Sequence, residues 1–331
     1  MATLKDIAQR AGVTATTVSR VINNRGYISE GTRKKVYAAM EEMHYQPNEL
    51  ARAFSKQYTN TIGLIVPHIS HPFFIKVISN LESSAAEKGF KLLLCNSKEQ
   101  PEKEQDYLDM CMSNRVAGIV LCSKYVQTRE FRKMNIPVVN LERGGDDDTI
   151  SVQCDNYQGG KLAAEHLIEC GCKNLLHFGG VAGKDMPADR RADGFADVCK
   201  RAGIPYRILV SDRLQYGSMH YEDFIRRALQ EFPDVDGIFA SSDLIASQVI
   251  QVGAQMGKRV PEDIQLIGFD DVMISTVTTP QITTIHQPVE EMTELCVEYI
   301  AKSLKNESVP QKIVLPVRLV QRGTTVLKTE I

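Results

Sequence analysis

Residues 3–23, TLKDIAQRAGVTATTVSRVIN, spell two short amphipathic helices with a tight turn between them. Leu4, Ile7, Ala8 and Ala11 recur at the three-and-four spacing that gathers apolar groups on one helical face, and Gly12 frees the chain to turn. Thr14 reads as the N-cap of a second helix whose Val18, Val21 and Ile22 face inward, leaving Thr16, Thr17, Arg20 and Asn23 outward. This is the pattern of a helix-turn-helix. Its second helix would lie in a major groove, where hydroxyls and amides meet base edges and an arginine grips guanine O6 and N7.

Working outward, Ser29 to Met43 reads as a third helix, with Val36, Ala39, Met40 and Met43 inward and Thr32-Arg33-Lys34-Lys35 toward solvent or phosphate. Pro47 ends that unit, because proline disfavours helix in the residue before it. The segment NELARAFS from Asn48 puts Leu50, Ala51 and Phe54 on one face but is too short to hold as a helix alone. Charge follows the same division. Residues 1–60 carry nine Lys/Arg against five Asp/Glu, a net of +4, while residues 61–331 carry 30 against 36, a net of −6. The basic end is the end that would neutralise phosphates.

From Thr61 the pattern changes to short apolar runs alternating with helical stretches. The runs begin at 61 (TIGLIVP), 91 (KLLLCNS), 117 (AGIVLCS), 136 (IPVVNL), 174 (NLLHFGG), 207 (RILVS), 236 (DGIFASSD) and 264 (IQLIGFDD). Continuous apolar strands indicate parallel sheets covered by helices on both faces, and so many βα units imply two similar lobes. Residues 74–88, 157–169 and 243–257 have the length of crossover helices. The terminal KIVLPVRLVQRGTT alternates and reads as strand crossing or finishing a lobe.

Several function classes fall away. No run approaches the roughly 18 apolar residues of a membrane span and MATLKDIA is no secretory leader, which together predict a cytoplasmic protein with no membrane contact. Eight cysteines scattered at 95, 111, 122, 154, 170, 172, 199 and 296 read as buried free thiols, and Cys170-Gly171-Cys172 lacks the spacing of a zinc site. The run Gly179 to Lys184 lacks the first P-loop glycine, since residue 178 is Phe, and the hydroxyl at 185, which is Asp. No strand is followed by G-x-G-x-x-G, so a Rossmann-type enzyme is disfavoured. No catalytic set, metal or cofactor is expected.

Seven pieces in chain order resemble the LacI/GalR family of bacterial transcription regulators: residues 3–23, YQPNELARAF, TNTIGLIVPHISHPFF, CDNYQGG, RRADGF at 190–195, VPEDIQLIGFDD at 260–271 and ITTIHQPVEEM at 282–292. INNRGYIS is loosely similar to the headgroups of sucrose-type operon repressors. The resemblance implies an all-α helix-turn-helix headgroup over 1–47, a hinge helix or linker over 48–59, and an α/β effector-binding and dimerisation domain over 60–331. That domain would have two periplasmic-binding-protein-like lobes with parallel sheets, one from about 60–159 and 290–318, the other from about 160–289 and 319–331. Partners would be a palindromic double-stranded operator, a second copy of the chain and a small-molecule effector. After Thr324 only seven residues remain, too few for the heptad tail of tetrameric members.

Carried over residue by residue, the DNA contacts fall on Thr3, Thr14, Ala15, Thr16, Thr17, Arg20, Asn23 and Tyr27, with Leu50, Ala51, Arg52 and Phe54 in the hinge. Ala15 offers only a methyl, and Phe54 stands where the family's hinge leucine wedges a base step. The effector candidates are His68, Ser70, Phe73, Phe74, Arg191, Tyr216, Asp243 and Asp270. An arginine and a carboxylate suit vicinal hydroxyls and an aromatic face suits a sugar ring, which favours a sugar-switched repressor of carbohydrate genes. Asp243 also suits capping of the helix that follows it. The family leaves two alternatives: catabolite-control members, which answer to a phosphorylated carrier protein, and purine- or nucleoside-responsive repressors. A solute-binding protein conflicts with the DNA-reading start.

Overall fold

Burial of one apolar stripe from each of three helices assembles the N-terminal part of the chain. The computed structural model describes residues 2–23, 25–45, 58–123, 136–143, 149–181 and 186–328. Its contacts divide the chain into two units, 1–60 and 61–331. In the first, α1 (Leu4–Ala11) begins with a capping box in which Thr3 Oγ1 accepts from the Asp6 amide at 3.3 Å and Asp6 Oδ2 accepts from the Thr3 amide at 2.8 Å. Gly12 ends it at φ 66°, a left-handed conformation that glycine adopts without strain. Thr14 caps α2 (Ala15–Ile22), and Ser29 caps α3 (Glu30–Glu42). Ile7, Ala8, Val18, Val21, Val36 and Ala39 form the buried centre. On the outside, Arg10 forks onto Glu42 with 2.9 and 2.6 Å bonds, an exposed pair of small energetic weight.

The second unit runs β1 (Thr61–Val66), α4 (Pro72–Glu87), β2 (Lys91–Asn96), α5 (Pro101–Ser113), β3 (Gly118–Leu121), β4 (Val138–Leu141) and β5 (Ile150–Cys154). It continues with α6 (Asn156–Glu169), β6 (Leu175–Val181), α7 (Arg190–Ala202), β7 (Tyr206–Ser211), α8 (Arg213–Ser218) and α9 (Glu222–Glu231). Then come β8 (Gly237–Ala240), α10 (Asp243–Gln255), β9 (Gln265–Asp270), α11 (Ile274–Val277) and β10 (Thr283–His286). It ends with α12 (Val289–Ser303), β11 (Lys312–Leu315) and β12 (Arg318–Val320).

Two six-stranded sheets result, ordered β11-β5-β4-β3-β1-β2 and β12-β10-β9-β8-β6-β7. Every pair is parallel except β10 with β12, so the expectation of parallel sheets needs an antiparallel edge strand added to the second. The central strands β1 and β3 are buried almost end to end because helices cover both faces: α4 and α12 pack together over one side of the first sheet while α5 lies against β1. The chain passes between the sheets three times, after β5, after β10 and after β11. The terminal stretch therefore does both things its alternation allowed, closing the first sheet with β11 and crossing to edge the second with β12.

Two strands, β5 and β10, were not among the eight apolar runs. Both are short: β5 (ISVQC) mixes polar with apolar residues, and β10 (TTIH) is half threonine, its hydroxyls buried against partners instead of being replaced by hydrocarbon. Thr283 accepts a bond from the Arg322 amide at 2.9 Å and pairs with the Thr325 hydroxyl at 2.8 Å, while Thr284 donates to Asp243 at 2.5 Å. All eight cysteines are buried free thiols. No helix among the described residues is long and apolar enough to cross a membrane.

Candidate functional site

On the N-terminal unit, the outward groups of α2 divide into those already bonded within the unit and those that are not. Thr16 and Arg20 are exposed, and Tyr27 is 96% exposed; among the described residues these three side chains have no partner. Thr17 is half-buried and its hydroxyl pairs with that of Thr14 at 2.9 Å. Asn23 turns back, its Nδ2 donating to the Ser19 carbonyl at 2.8 Å, so it is not the outward-pointing amide that helical spacing predicts. Thr3 and Thr14 spend their side chains on caps. Ala15 is half-buried against the three-helix core. The hinge candidates Leu50, Ala51, Arg52 and Phe54 lie outside the described residues.

In the second unit, parallel strands deliver their carboxyl ends to one place. Pro67 follows β1, Cys122 and Ser123 follow β3, and Glu142 follows β4; from the other sheet come the end of β6, Ser211, Ser241, Asp270 and Gln287. Between them is a cavity of about 140 Å³. A single water needs only about 10–15 Å³ on this measure, so the space suits a larger ligand. Crevices at the carboxyl ends of parallel strands are where such folds hold ligands, because strand geometry fixes position while the loops supply chemistry.

Arg191, in the first turn of α7, is the cavity's cation. Its Nε donates to Asn156 Oδ1 at 2.7 Å, its Nη1 donates to the Ser241 carbonyl at 2.6 Å, and its guanidinium lies 3.5 Å from the centre of the Phe269 ring. Asn156 in turn donates to Glu142 Oε2 at 3.0 Å, and Glu142 Oε1 accepts from the Cys154 amide at 2.5 Å. The chain Glu142–Asn156–Arg191–Ser241 thus links the end of β4 in one sheet to the end of β8 in the other. Lys76 adds a direct strut, its Nζ donating to the Asp271 carbonyl at 3.1 Å.

Phe73 and Phe74 meet edge to face at 5.2 Å at the start of α4, and Tyr216 on α8 approaches His71 with ring centroids 6.4 Å apart. Burial, helped by Arg191 nearby, pushes His71 down to about 4, so its imidazole is neutral. Asp270 ends β9 at φ 106°, a conformation that costs a non-glycine residue strain, and accepts from Gln287 Nε2 at 2.6 Å. Burial raises its carboxyl to about 7 against the pull of Arg191. Between its ordinary 3.8 and about 7 the folded state holds a proton that the unfolded state has lost, so this group makes stability fall as pH rises through that window, with a limiting slope of about 1.4 kcal/mol per pH unit. Buried His71 and His177, both lowered to about 4, act in the opposite direction below 6.5. The readout is therefore the difference between wild type and Asp270→Asn in urea midpoints from pH 4 to 8. Wild type should lose ground steadily to the variant up to about pH 7 and hold level above, and a constant difference would refute the titration.

Of the effector candidates, Phe73, Phe74, Arg191, Tyr216 and Asp270 line one cavity. Three do not. Ser70 is exposed in the turn after β1, and His68 sits behind the wall, its ring edge-on to Tyr216 at 5.4 Å. Asp243 is fully buried under the site, where Oδ1 accepts from Thr284 and Oδ2 accepts from the Val272 amide at 2.9 Å. It does not cap α10 either, since Ser242 does. Burial and the neighbouring Asp270 push its carboxyl well above the usual range. Sequence reasoning missed Ser123, Glu142, Asn156 and Gln287. Asn156 stands two residues past the end of β5 and Gln287 one past the end of β10, in two quoted motifs, CDNYQGG and ITTIHQPVEEM, and that position was the available signal.

With the geometry in hand, comparison places both units. Residues 3–48 match the model for bacterial regulatory proteins of the lacI family, and residues 164–325 match a periplasmic binding protein-like domain. The ribose operon repressor of Halalkalibacterium halodurans is 33% identical over 326 residues, spanning 98% of this chain and 97% of that protein. The sucrose operon repressor of Pediococcus pentosaceus is 36% identical over 324 residues, 97% of this chain and 98% of that one. A crystal structure of the lac repressor dimer bound to operator and the anti-inducer ONPF superposes with a TM-score of 0.83 at 25% identity, covering 98% of this chain and 99% of that chain. Helix-turn-helix, paired parallel sheets and end-to-end similarity converge: this chain belongs to the LacI family of bacterial regulatory proteins.

Proposed function

We propose that the chain is a dimeric, operator-binding repressor of carbohydrate-utilisation genes whose DNA affinity is set by a sugar held between the two lobes of the second unit. The observation that carries the reading is the make-up of the cavity: the edge of Arg191, the carboxyl of Asp270 and the amide of Gln287 face the same space as the Phe73, Phe74 and Tyr216 rings. A donor edge beside a carboxyl and an amide suits sugar hydroxyls, and aromatic faces suit the C–H side of a sugar ring. Relatives named for the ribose and sucrose operons support that ligand class. Thr16 and Arg20 would read the major groove of each half-site, and Tyr27 would support them from the loop before α3.

A ligand touching both lobes shifts the chain toward the conformation it binds better, and only by its differential affinity for the two. The test is a DNA site selected from a random-sequence library by the full-length protein and then titrated at fixed salt with ribose, sucrose, glucose, fructose or hypoxanthine present. One sugar should change the operator affinity about tenfold, within the usual coupling range. Indifference to every sugar, or a response to hypoxanthine alone, would remove the carbohydrate reading.

A further inference from the structure

We propose that this cavity takes an uncharged, polyhydroxylated ligand and excludes its phosphate ester, so that the chain answers to the unphosphorylated form of its sugar. The inference rests on the cavity being the effector site. The charges set the case. Among the described lining residues Arg191 is the sole side chain with a fixed positive charge, against Glu99, Glu142 and Asp189, with Asp270, raised by burial to about 7, adding a further negative charge as it ionises. His71 adds no charge, being neutral above about pH 4. Arg191 is itself spent on Asn156, the Ser241 carbonyl and the face of Phe269, which leaves an edge and not a fork toward the cavity.

Helix N-termini are the usual counterweight, since their free amides and dipoles attract phosphate. Helix α9 begins after Tyr221 on the cavity wall and carries Glu222 and Asp223 in its first turn; α4, α7 and α10 also begin there, and each is already answered. Pro72 removes one donor at the start of α4 and His71 Nδ1 accepts the Phe73 amide at 3.3 Å. The Asp189 carboxylate stands at the start of α7, where it also accepts from the Met186 amide at 2.7 Å. On α10, Ser242 Oγ accepts the Ile245 amide at 3.2 Å, and the Asp243 carboxyl occupies the first turn.

Two buried groups then say what the ligand must bring. Gln287 donates its amide to Asp270, which leaves Oε1 as an acceptor with no partner, and Ser123 Oγ is likewise buried and unpartnered. The Ser123 hydroxyl can donate or accept, but Gln287 Oε1 only accepts: left unpaired it is costly, and a sugar hydroxyl can donate to it whereas a phosphate dianion placed there has no proton to give. Arg143 is no substitute cation, because it lies behind Ser123 with its Nε on the Ser123 carbonyl and its Nη1 on Asn140 Oδ1 at 3.1 Å.

Calorimetric titration of the full-length protein with matched pairs tests this: ribose and ribose 5-phosphate, fructose and fructose 6-phosphate, glucose and glucose 6-phosphate, sucrose and sucrose 6-phosphate. For whichever sugar binds, the ester should bind at least about 100-fold more weakly, as expected for like charges brought together. Glu99→Lys should narrow that gap about tenfold. An ester that binds as well as its parent sugar, with binding lost in Phe74→Ala and Gln287→Met, would overturn the exclusion and leave the cavity as the effector site. A gap that Glu99→Lys does not move would overturn its electrostatic origin. Binding untouched by both cavity variants, or no binding by any pair, would overturn the effector site and the exclusion with it.

Discussion

Arg191→Ala should destabilise the second unit by about 3–5 kcal/mol, the usual result of removing one partner from a buried charged network. The residue is buried, and three groups depend on it. Asn156 Oδ1 and the Ser241 carbonyl each lose a charge-assisted donor, and each buried acceptor so stranded costs about 1–3 kcal/mol. Phe269 loses the cation on its face. Asp270 loses the charge that most favours its ionised form, so its carboxyl should climb from about 7 to higher pH. Lysine is no rescue, because an ammonium cannot donate along two fixed directions while lying flat on a ring. Urea unfolding of wild type, Arg191→Ala and Arg191→Lys measures the effect; the two variants should fall together. A lysine variant within about 0.5 kcal/mol of wild type would show that the guanidinium fork carries no weight. Sugar-dependent changes in operator affinity should disappear in both variants, while the three-helix unit that carries Thr16 and Arg20 should keep its own fold.

Arg191 also marks how far sequence reasoning reaches. The helices of the first unit and eight strands were legible because periodicity records burial directly: Val18, Val21 and Val36 repeat on helical faces, and β1 and β3 are apolar throughout because they are covered on both sides. Where burial is achieved by polar pairing, periodicity is silent, and β10 with its paired threonines was lost for that reason; β5, five residues with Ser151 and Gln153 among them, was too short and mixed to stand out. The site divides in the same way. Phe73, Phe74, Arg191 and Asp270 close a strand or open a helix in motifs that carry the family resemblance, and they meet in space. Asp243 has the same sequence credentials, yet Thr284 and the Val272 amide capture it, a fact that depends on β10 returning beside β9. Gln287 lines the pocket and Asn156 braces Arg191 because the chain crosses between sheets there, and a crossing is a property of topology that local spacing does not encode.

Gly160→Ala should be as damaging as the loss of Arg191, and for a connected reason. In the motifs CDNYQGG and RRADGF, Gly160 of α6 and Gly194 of α7 face each other's helices: a Cβ on Gly160 would stand 2.0 Å from the Arg191 carbonyl oxygen, and one on Gly194 would stand 2.0 Å from that of Tyr157. Gly159, beside them, would press a methyl to 2.6 Å from the Phe269 ring, the same ring that carries the Arg191 guanidinium. The obstacles at 160 and 194 are backbone atoms, so no rotamer change relieves them and the two helices must separate. Ordinary overpacking costs about 1–3 kcal/mol, and a backbone clash should reach or exceed the top of that range. Separation also carries the first turn of α7 away from Asn156 and Ser241, so ligand binding in the cavity should weaken by more than the stability loss alone explains. Gly253→Ala in α10 is the control. Its Cβ would meet the Lys258 carbonyl at an ordinary 3.5 Å, and alanine in a helix should be neutral or stabilising by about 0.5–1 kcal/mol. Thermal and urea unfolding of the three variants should therefore place Gly253→Ala at or above wild type and Gly160→Ala and Gly194→Ala well below it. Equal stabilities would mean that α6 and α7 do not pack this closely, and the tie between the two motifs and the position of Arg191 would fall with that result.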